Sequence, residues 1–271
     1  MREFTGRVAV VTGAGSGIGR ALARDLAARG AELALSDVDG DRLGTVVDEC
    51  AGLGATARGY VLDVSDRAAV LAHADQVAGD FGRVELVVNN AGVTLSGKIT
   101  EAEWADLDWI VGINFWGVVH GSKAFLPHLI AADEAYLVNV SSMFGLIGVP
   151  GQAAYSATKF GVRGFTEALR QEMLAGGHRV GVSSVHPGCV RTNIVRDARG
   201  IPDAERAESA RAFDRIAGTT AERAASTILR GVQRRKPKIL VGGDARVVDL
   251  LPRLFGAGYQ RLTAGLTKRL P

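Results

Sequence analysis

A glycine-rich run, Thr12-Gly13-Ala14-Gly15-Ser16-Gly17-Ile18-Gly19, separates a short apolar stretch from an amphipathic segment near the start of the chain. The apolar stretch, residues 8–11, predicts a buried strand. Residues 17–29 predict a helix, because large apolar residues recur every four positions from Ile18. Glycines in such a turn let the backbone approach a pyrophosphate, whose charge the helix N-terminus favours. The alternative is a turn that binds nothing.

Predicted strands and helices alternate along the rest of the chain. Strands are expected at 32–36, 56–61, 84–89, 135–141, 179–185 and 238–241, with helices at 40–52 and 66–81 and between the later strands. This alternation requires right-handed crossovers and builds a parallel sheet. We expect an α/β fold, a doubly wound parallel sheet of about seven strands with helices on both faces, in a single domain over residues 1–271. Ligands bind such sheets at the carboxyl ends of the strands.

Two later segments depart from this alternation. Residues 191–217 are rich in charged residues and helix formers, and they predict a helical lid over a substrate site. Residues 244–271 form a C-terminal extension that mixes apolar residues with arginine and lysine, including Lys268 and Arg269. Core packing is the favoured interpretation of its apolar residues. A basic amphipathic surface that rests on a membrane or covers the pocket is the alternative.

Asp37 ends the second predicted strand, a little over twenty residues after the first glycines of the run. A carboxylate there accepts hydrogen bonds from an adenosine ribose and repels a 2'-phosphate. Positions 16 and 38 hold serine and valine and not arginine or lysine, so NAD is favoured over NADP. The alternative role for Asp37 is a turn or cap residue before the next helix.

Tyr155 and Lys159 lie four residues apart at the start of a predicted helix and therefore share one face. An ammonium near a phenol stabilises the phenolate, so we expect a lowered pKa for Tyr155, as general acid/base catalysis needs. The same spacing also occurs on ordinary solvated helix faces.

Two further polar residues belong with this pair. Ser142 follows a strongly apolar predicted strand, and its hydroxyl would lie at the same sheet edge as the glycine run, where it can hydrogen-bond a substrate carbonyl oxygen. Asn114 lies inside a helix that begins near Asp106, although asparagine is a poor helix former. It is either a surface accident or a functional kink that holds water.

With these residues in place, the sequence resembles the short-chain dehydrogenase/reductase family. Thr12 to Gly19 match its glycine motif, Asn89-Asn90-Ala91-Gly92 its sheet motif, and Asn114, Ser142, Tyr155 and Lys159 its catalytic tetrad. Pro187-Gly188 and Thr192 match as well, so the resemblance extends over residues 7–192.

The resemblance implies a Rossmann-like fold and a set of cofactor contacts. Asp63 and Val64 would contact adenine, Lys159 the nicotinamide ribose, and Thr192 the carboxamide. Tyr155 would pass its proton through the ribose and Lys159 to a water held by Asn114. The remaining residues implied to bind cofactor are Asn90, Ala91, Gly92, Tyr155, Pro187, Gly188 and Val190. The family also implies a homodimer or homotetramer formed through the helices that hold Asn114 and Tyr155.

The favoured function is hydride transfer between NAD(H) and a secondary alcohol or ketone, with Tyr155 as the acid/base. Apolar residues after Ser142 and after the Pro187-Gly188 pair favour a bulky apolar substrate. One alternative is a non-catalytic NAD-binding or sensing protein with the same fold. Another is epimerase, dehydratase or isomerase chemistry, which also occurs among relatives of this family; the moderate length of the chain and the absence of a second substrate domain argue only against the types that act on sugar nucleotides.

Composition restricts partners and location. A net charge of +3 on 271 residues, without a basic cluster on one face, argues against nucleic acid. Cys50 and Cys189 cannot build a disulfide framework, which favours a cytoplasmic location. The first residues do not resemble a signal peptide, and no stretch approaches the roughly 20 apolar residues of a membrane span. The five histidines lack metal-ligand spacing, so no metal is expected.

Overall fold

The computed structural model describes residues 1–267, except for the side chains of Asp203, Leu262, Leu266 and Thr267. In this part of the chain the strands are β1 (Val8–Thr12), β2 (Glu32–Asp37), β3 (Ala57–Val61), β4 (Leu86–Asn89), β5 (Ala135–Val140), β6 (Val180–Pro187), β7 (Val190–Arg191), β8 (Thr219–Thr220) and β9 (Lys238–Val241). The predicted strands are confirmed to within two residues at either end.

Helices cover both faces of the sheet. They are α1 (Gly17–Ala28), α2 (Gly40–Gly52), α3 (Arg67–Phe81), α4 (Trp104–Val111), α5 (Gly117–Ala131), α6 (Ala153–Ala175), α7 (Asp203–Ile216), α8 (Ala221–Gln233), α9 (Gly243–Phe255) and α10 (Tyr259–Thr267). A π-helical turn, Gly112–Trp116, joins α4 to α5, and 3₁₀ turns occur at Met143–Gly145 and Gly256–Gly258.

The main sheet has seven parallel strands in the order β3-β2-β1-β4-β5-β6-β9. Side chains alternate between its two faces. In β1, Val11 packs under α1, α2 and α8, while Val10 packs under α3, α5 and α6. The expectation of a single doubly wound α/β domain is therefore confirmed.

The strand order reverses direction between β1 and β4. The chain leaves β1 toward β2 and β3 on one side and later fills β4, β5 and β6 on the other. Crossovers from neighbouring strands diverge at this point and leave a crevice beyond the carboxyl ends. The glycine-rich run follows β1, so it lies at this crevice.

The segment 191–217 is less helical than its composition predicts. Arg191 belongs to β7, which pairs with β8, and helix α7 begins only at Asp203. Gly200 has φ +77°, and the fixed ring of Pro202 places an extended residue before the helix. These two residues separate α7 from residues 192–199, which form turns.

The expectation of core packing for the C-terminal extension is wrong for four apolar residues of α9, whereas Val248 and Leu251 are partly buried. Of the α9 residues, Ala245 and Asp249 are buried, and Leu254 is 71% exposed. Val247, Leu250 and Phe255 are also more than half exposed. Helix α9 lies beyond the last strand, β9, so only one narrow side of it meets the molecule. Lys268 and Arg269 lie outside the described residues.

Candidate active site

A cavity of about 880 Å³ opens at the carboxyl edge of the sheet, at the junction of β1 and β4. The glycine-rich run lines one end. Tyr155, Lys159 and the backbone after β6 line the other. Residues that the sequence scatters over almost 180 positions therefore meet in one crevice.

The glycine run needs glycine because the backbone around it is tightly packed. Gly13 has φ +64°, and a Cβ there would lie 2.8 Å from the Cα of Ala91. A Cβ at Gly19 would lie 2.0 Å from the carbonyl oxygen of Gly13. Larger residues at these positions would push helix α1 away from the turn.

The N-terminus of α1 points its backbone N–H groups at the cavity. Ser16 is the N-cap residue but makes no side-chain cap hydrogen bond. Gly17 and Ile18, the first helical residues, line the cavity with it. The first N–H groups of a helix lack partners within the helix, and the helix dipole adds partial positive charge. This end of the cavity therefore favours an anionic group.

Asp37 is held where the sequence argument places it, at the end of β2. Its Oδ2 accepts a hydrogen bond from the Gly15 N–H at 2.8 Å, and its Oδ1 accepts from the Asp39 N–H at 3.0 Å. The carboxylate thus supports the glycine turn and also lines the cavity, where Asp63 and Val64 lie nearby. Asp37 therefore both stabilises the turn and lines the cavity, although the sequence left the turn and the cofactor site as alternative roles for it.

Arg42 also lines this end of the cavity, and the sequence argument on NAD and NADP missed it. Its guanidinium pairs with Asp39 at 3.1 Å and with Asp197 at 3.3 Å. Two carboxylates therefore balance its charge. Arg42 occupies the first turn of α2, five residues beyond Asp37. The sequence argument considered only Ser16 and Val38 and so did not include this position.

Thr12 and Asn90 bind each other across the β1–β4 junction. The Asn90 side chain donates to the Thr12 carbonyl at 2.9 Å, and the N–H groups of Asn90 and Ala91 both donate to the Thr12 hydroxyl. These bonds hold the loop after β4 against the glycine turn. Ala91 and Gly92 then line the cavity.

Asn114 lies in the π-helical turn, fully buried. Its Oδ1 accepts from the Val93 N–H at 2.8 Å, and its Nδ2 donates to the Val93 carbonyl at 2.9 Å. The kink expected from an asparagine inside a helix is therefore present, since a π-turn widens the helix by one residue. The amide ties that kink to the loop after β4.

Lys159 and Asn114 approach the same point beside Gly92. A Cβ at Gly92 would lie 3.2 Å from both the Asn114 Oδ1 and the Lys159 Nζ. The Lys159 ammonium donates to the Val140 carbonyl at 3.1 Å. Burial lowers the pKa of Lys159 to about 8.

The Tyr155 side chain is buried against Ser142 and Phe144. Burial raises the pKa of Tyr155, and the hydrogen bond with the Ser142 side chain opposes this rise. The lowered pKa expected from the Tyr–Lys spacing is therefore not found. The Lys159 Nζ lies 5.7 Å from the centre of the tyrosine ring, and loss of water around the phenol remains the largest influence on the pKa of Tyr155.

The turn that carries Ser142 is pressed onto α6 at Gly145. A Cβ at Gly145 would lie 2.3 Å from the Ser141 Oγ and 2.7 Å from the Lys159 carbonyl oxygen. The Ser141 hydroxyl donates to the same Lys159 carbonyl at 2.7 Å. This contact sets the distance between the serine turn and the helix that carries Tyr155 and Lys159.

The loop after β6 forms the floor of the cavity. Pro187, Gly188, Val190 and Thr192 all line it. Gly188 lies against the carboxylate of Asp244, which also accepts from the Cys189 N–H. The Thr192 methyl lies 3.1 Å from where a Cβ at Gly17 would be, so this loop and the glycine turn close on each other.

Residues 192–202 include part of the cavity lining and are fastened near their middle by two ion pairs. Asp197 pairs with Arg42 at 3.3 Å, and Arg199 pairs with Asp106 at 2.9 Å. The Arg199 guanidinium also stacks 4.0 Å from the Trp109 ring. Behind the loop, apolar side chains line the cavity, among them Met143, Phe144, Val195, Phe213 and Ile216.

His186 is a buried site neighbour that sequence reasoning missed. Its Nδ1 lies 3.0 Å from the Ser142 carbonyl oxygen. Its position directly before Pro187-Gly188, at the end of a buried strand, was the available signal. The sequence argument considered histidines only as metal ligands, packing or solvated residues.

The described residues lack the features of two other kinds of site. Within residues 1–267, no group of three or more His, Cys, Asp or Glu side chains is arranged to hold a metal ion. None of the helices in this range is both long and apolar enough to span a bilayer.

The doubly wound sheet, the glycine turn at its switch point and the Ser, Tyr and Lys at the same edge define a dinucleotide-binding type of oxidoreductase. Comparison with known proteins agrees. The family model described as short chain dehydrogenase matches residues 7–200. The chain belongs to this family and is an oxidoreductase.

Individual relatives extend the likeness over the whole chain. The oxidoreductase named SadH from Mycobacterium tuberculosis is 51% identical over 273 residues, covering 100% of this chain and 99% of the relative. A short-chain dehydrogenase/reductase from Burkholderia phymatum, solved in complex with NAD, is 33% identical with a TM-score of 0.84 and covers 100% of this chain and 98% of that one. A short chain dehydrogenase from Mycobacterium paratuberculosis, bound to NAD, is 26% identical with a TM-score of 0.78 and covers 90% and 98%.

Proposed function

We propose that this protein transfers hydride between NAD(H) and a bulky, apolar secondary alcohol or ketone. The observation that carries the proposal is the meeting of Tyr155 and Lys159 on one wall of a cavity whose other end holds the glycine turn and Asp37, with the Ser142 side chain hydrogen-bonded to Tyr155. The combination supplies an acid/base next to a dinucleotide site.

The residues present fit NAD. The bare N-terminus of α1 suits a pyrophosphate, and the glycine turn leaves the backbone open to close approach. The Asp37 carboxylate suits a ribose diol and repels a 2'-phosphate. Arg42 is neutralised by Asp39 and Asp197, so it leaves that preference in place. The NAD-bound relatives support the same choice.

NAD(H), when bound, supplies or accepts the hydride. The chain's own residues manage the proton and the charge on the substrate oxygen. As a phenol, Tyr155 donates its proton to the oxygen of a ketone, and the Ser142 hydroxyl hydrogen-bonds the same oxygen. Lys159 places an ammonium near the phenolate that forms. Because burial raises the pKa of Tyr155, the resting side chain is the proton donor, which favours ketone reduction near neutral pH.

The lining of the cavity supports an apolar substrate. Met143 and Phe144 lie beside Ser142, and Phe213 and Ile216 approach from α7. Such a wall excludes water and favours the binding of substrates with a large apolar surface. We infer that residues 191–217 act as the lid of this pocket, and that the free Cys50 and Cys189 thiols belong to a reducing, cytoplasmic setting.

The test is NADH and NADPH oxidation by a panel of ketones of graded size. We expect NADH to be preferred and turnover to rise with apolar bulk. Tyr155→Phe should lower kcat by about 10²- to 10⁴-fold, as expected for loss of a general acid. Tyr60→Phe is the matched control, because Tyr60 donates to Asp80 and lies outside the cavity lining. Tight NADH binding without turnover on any ketone would instead favour an NAD-sensing protein.

A further inference from the structure

His186 is fully buried at the end of β6, and both ring nitrogens have partners. Nδ1 lies 3.0 Å from the Ser142 carbonyl oxygen, and Nε2 lies 2.7 Å from the Ser184 hydroxyl. The ring thus joins β6 to the turn after β5. No step of the proposed reaction uses it directly.

The Ser142 peptide is held from three directions. Its carbonyl oxygen accepts from the Gly145 N–H at 2.9 Å as well as from His186. Its hydroxyl oxygen accepts from the Phe144 N–H at 3.1 Å. The Gly145 and Phe144 bonds lie within the turn itself. The bond from His186 anchors the Ser142 carbonyl itself to β6, while the preceding peptide is tied to the same strand by the Ser141 N–H, which donates to the Val185 carbonyl at 2.8 Å.

The partners determine the tautomer of the ring. A carbonyl oxygen can only accept, so the hydrogen of a neutral imidazole must lie on Nδ1. Nε2 then carries the lone pair and accepts from the Ser184 hydroxyl. Burial lowers the pKa of His186 to about 4, and Lys238 and Arg163 act in the same direction, against the Ser142 hydrogen bond and Asp249. The ring is therefore neutral at pH 7.

We propose that His186, present as its Nδ1–H tautomer and held in place by Ser184, is a positioning residue that aims the Ser142 hydroxyl at the substrate oxygen. This inference rests on the function proposed above. Without the Nδ1 bond, the Ser142 peptide is tied to β6 only through the preceding Ser141 N–H, and the Ser142 hydroxyl can move relative to Tyr155. Small displacements of a group that contacts the reacting atoms reduce turnover strongly.

Two substitutions test the hydrogen bonds of the two ring nitrogens separately. The amide nitrogen of asparagine reaches the position of Nδ1, and the end of glutamine reaches that of Nε2. His186→Asn should therefore keep the donor to Ser142, while His186→Gln keeps the contact to Ser184 and loses that donor. With a ketone that the wild type reduces, we expect kcat to fall about 10- to 100-fold in His186→Gln and to stay within about threefold in His186→Asn. The dissociation constant of NADH should be unchanged in both.

A double-mutant cycle distinguishes positioning from general damage. In a Ser142→Ala background there is no hydroxyl to aim, so His186→Gln should cause no further loss of kcat. A merely structural defect would lower kcat in both backgrounds, and that result would overturn the inference. If His186→Gln does not fold, Ser184→Ala replaces it: the ring then loses its Nε2 partner and is held less firmly, so kcat should fall only where Ser142 is present.

A spectroscopic measurement keeps the inference independent of turnover. Nitrogen-15 chemical shifts of labelled histidine, assigned with the His186→Asn protein, should show a neutral Nδ1–H ring at pH 7. An Nε2–H ring would refute the inference even if no ketone is reduced. Should the wild type reduce ketones and lose activity in Tyr155→Phe while His186→Gln matches His186→Asn, the proposed function stands and the role of His186 is wrong.

Discussion

Burial moves the pKa values of the two central side chains in opposite directions. It raises the pKa of Tyr155 and lowers the pKa of Lys159 to about 8. Both changes favour the neutral forms. The spacing of the two residues was a sound guide to their shared face, but it contained no information about the loss of water around them.

The ammonium of Lys159 should therefore be lost in an accessible pH range. Below about pH 8 the amine is protonated and stabilises the phenolate that forms as Tyr155 gives up its proton; above that pH it is neutral. We expect the kcat for ketone reduction to be level from pH 6 to 7.5 and to fall as the pH rises through about 8. Lys159→Arg, whose charge persists throughout, should remove this fall. If kcat falls over the same pH range in Lys159→Arg, a group other than Lys159 causes the fall.

At the scale of elements, the active geometry depends on how closely the turn Met143–Gly145 packs against α6. The contact is made through backbone atoms and the Ser141 hydroxyl, and it leaves no space for a side chain at Gly145. The π-helical turn performs a similar task on the other side, where Asn114 ties the kink to Val93.

Gly145→Ala should separate the serine turn from α6. The added methyl would meet the Ser141 Oγ and the Lys159 carbonyl oxygen, so we expect kcat to fall by at least about tenfold with NADH affinity retained. Gly148→Ala is the matched control, since the nearest atom to its Cβ would be the Tyr259 hydroxyl oxygen at 4.0 Å. Stopped-flow reduction and NADH fluorescence titration give the two quantities. Equal kcat values in the two variants would contradict the argument.

At the scale of the whole molecule, two groups of exposed apolar side chains are candidates for an interface. One lies on α4, the π-turn and α6, where Trp104, Trp116 and Phe160 are exposed, Trp116 by 49%. The other is the outer side of α9 around Leu254. Large exposed apolar patches usually mark interfaces.

We expect a homodimer or homotetramer formed through the first group of side chains. Trp116→Glu would place a charge in that interface and should shift the mass measured by light scattering after size exclusion toward the monomer. Leu254→Glu makes the same kind of change on α9 and serves as the comparison. A shift produced by Leu254→Glu alone would place the interface on the C-terminal helix.

His73 links the stability of the whole fold to pH. It is buried between Tyr60 and Phe125, and burial lowers its pKa from 6.5 to about 4. As the pH falls from about 6.5 to about 4, the unfolded chain binds a proton at His73 that the folded chain does not bind. The free energy of unfolding therefore decreases as the pH falls through this range. Between pH 7 and pH 5, the free energy of unfolding measured with urea should decrease by about 2 kcal/mol less in His73→Leu than in the wild type. His178→Gln, at an exposed position, should behave as the wild type.

Local signals predicted much of the architecture. The strands, the glycine turn and the doubly wound order follow from apolar periodicity and from glycine and cap chemistry, which act between near neighbours in the chain. Membership of the family follows from motifs of the same kind. The residues expected at the site, including Asp37, Asn114, Ser142 and Tyr155, all lie along the crevice or directly beside it.

The tertiary structure decided what depends on contacts between distant segments. Burial set the pKa values of Tyr155 and Lys159, and Arg42 and His186 joined the site through partners more than forty residues away. The position of α9 beyond the last strand exposed apolar residues that the sequence favoured for the core. Periodicity describes which face of an element is apolar, whereas water exclusion and charge balance depend on what that face meets, and only the packed chain determines that.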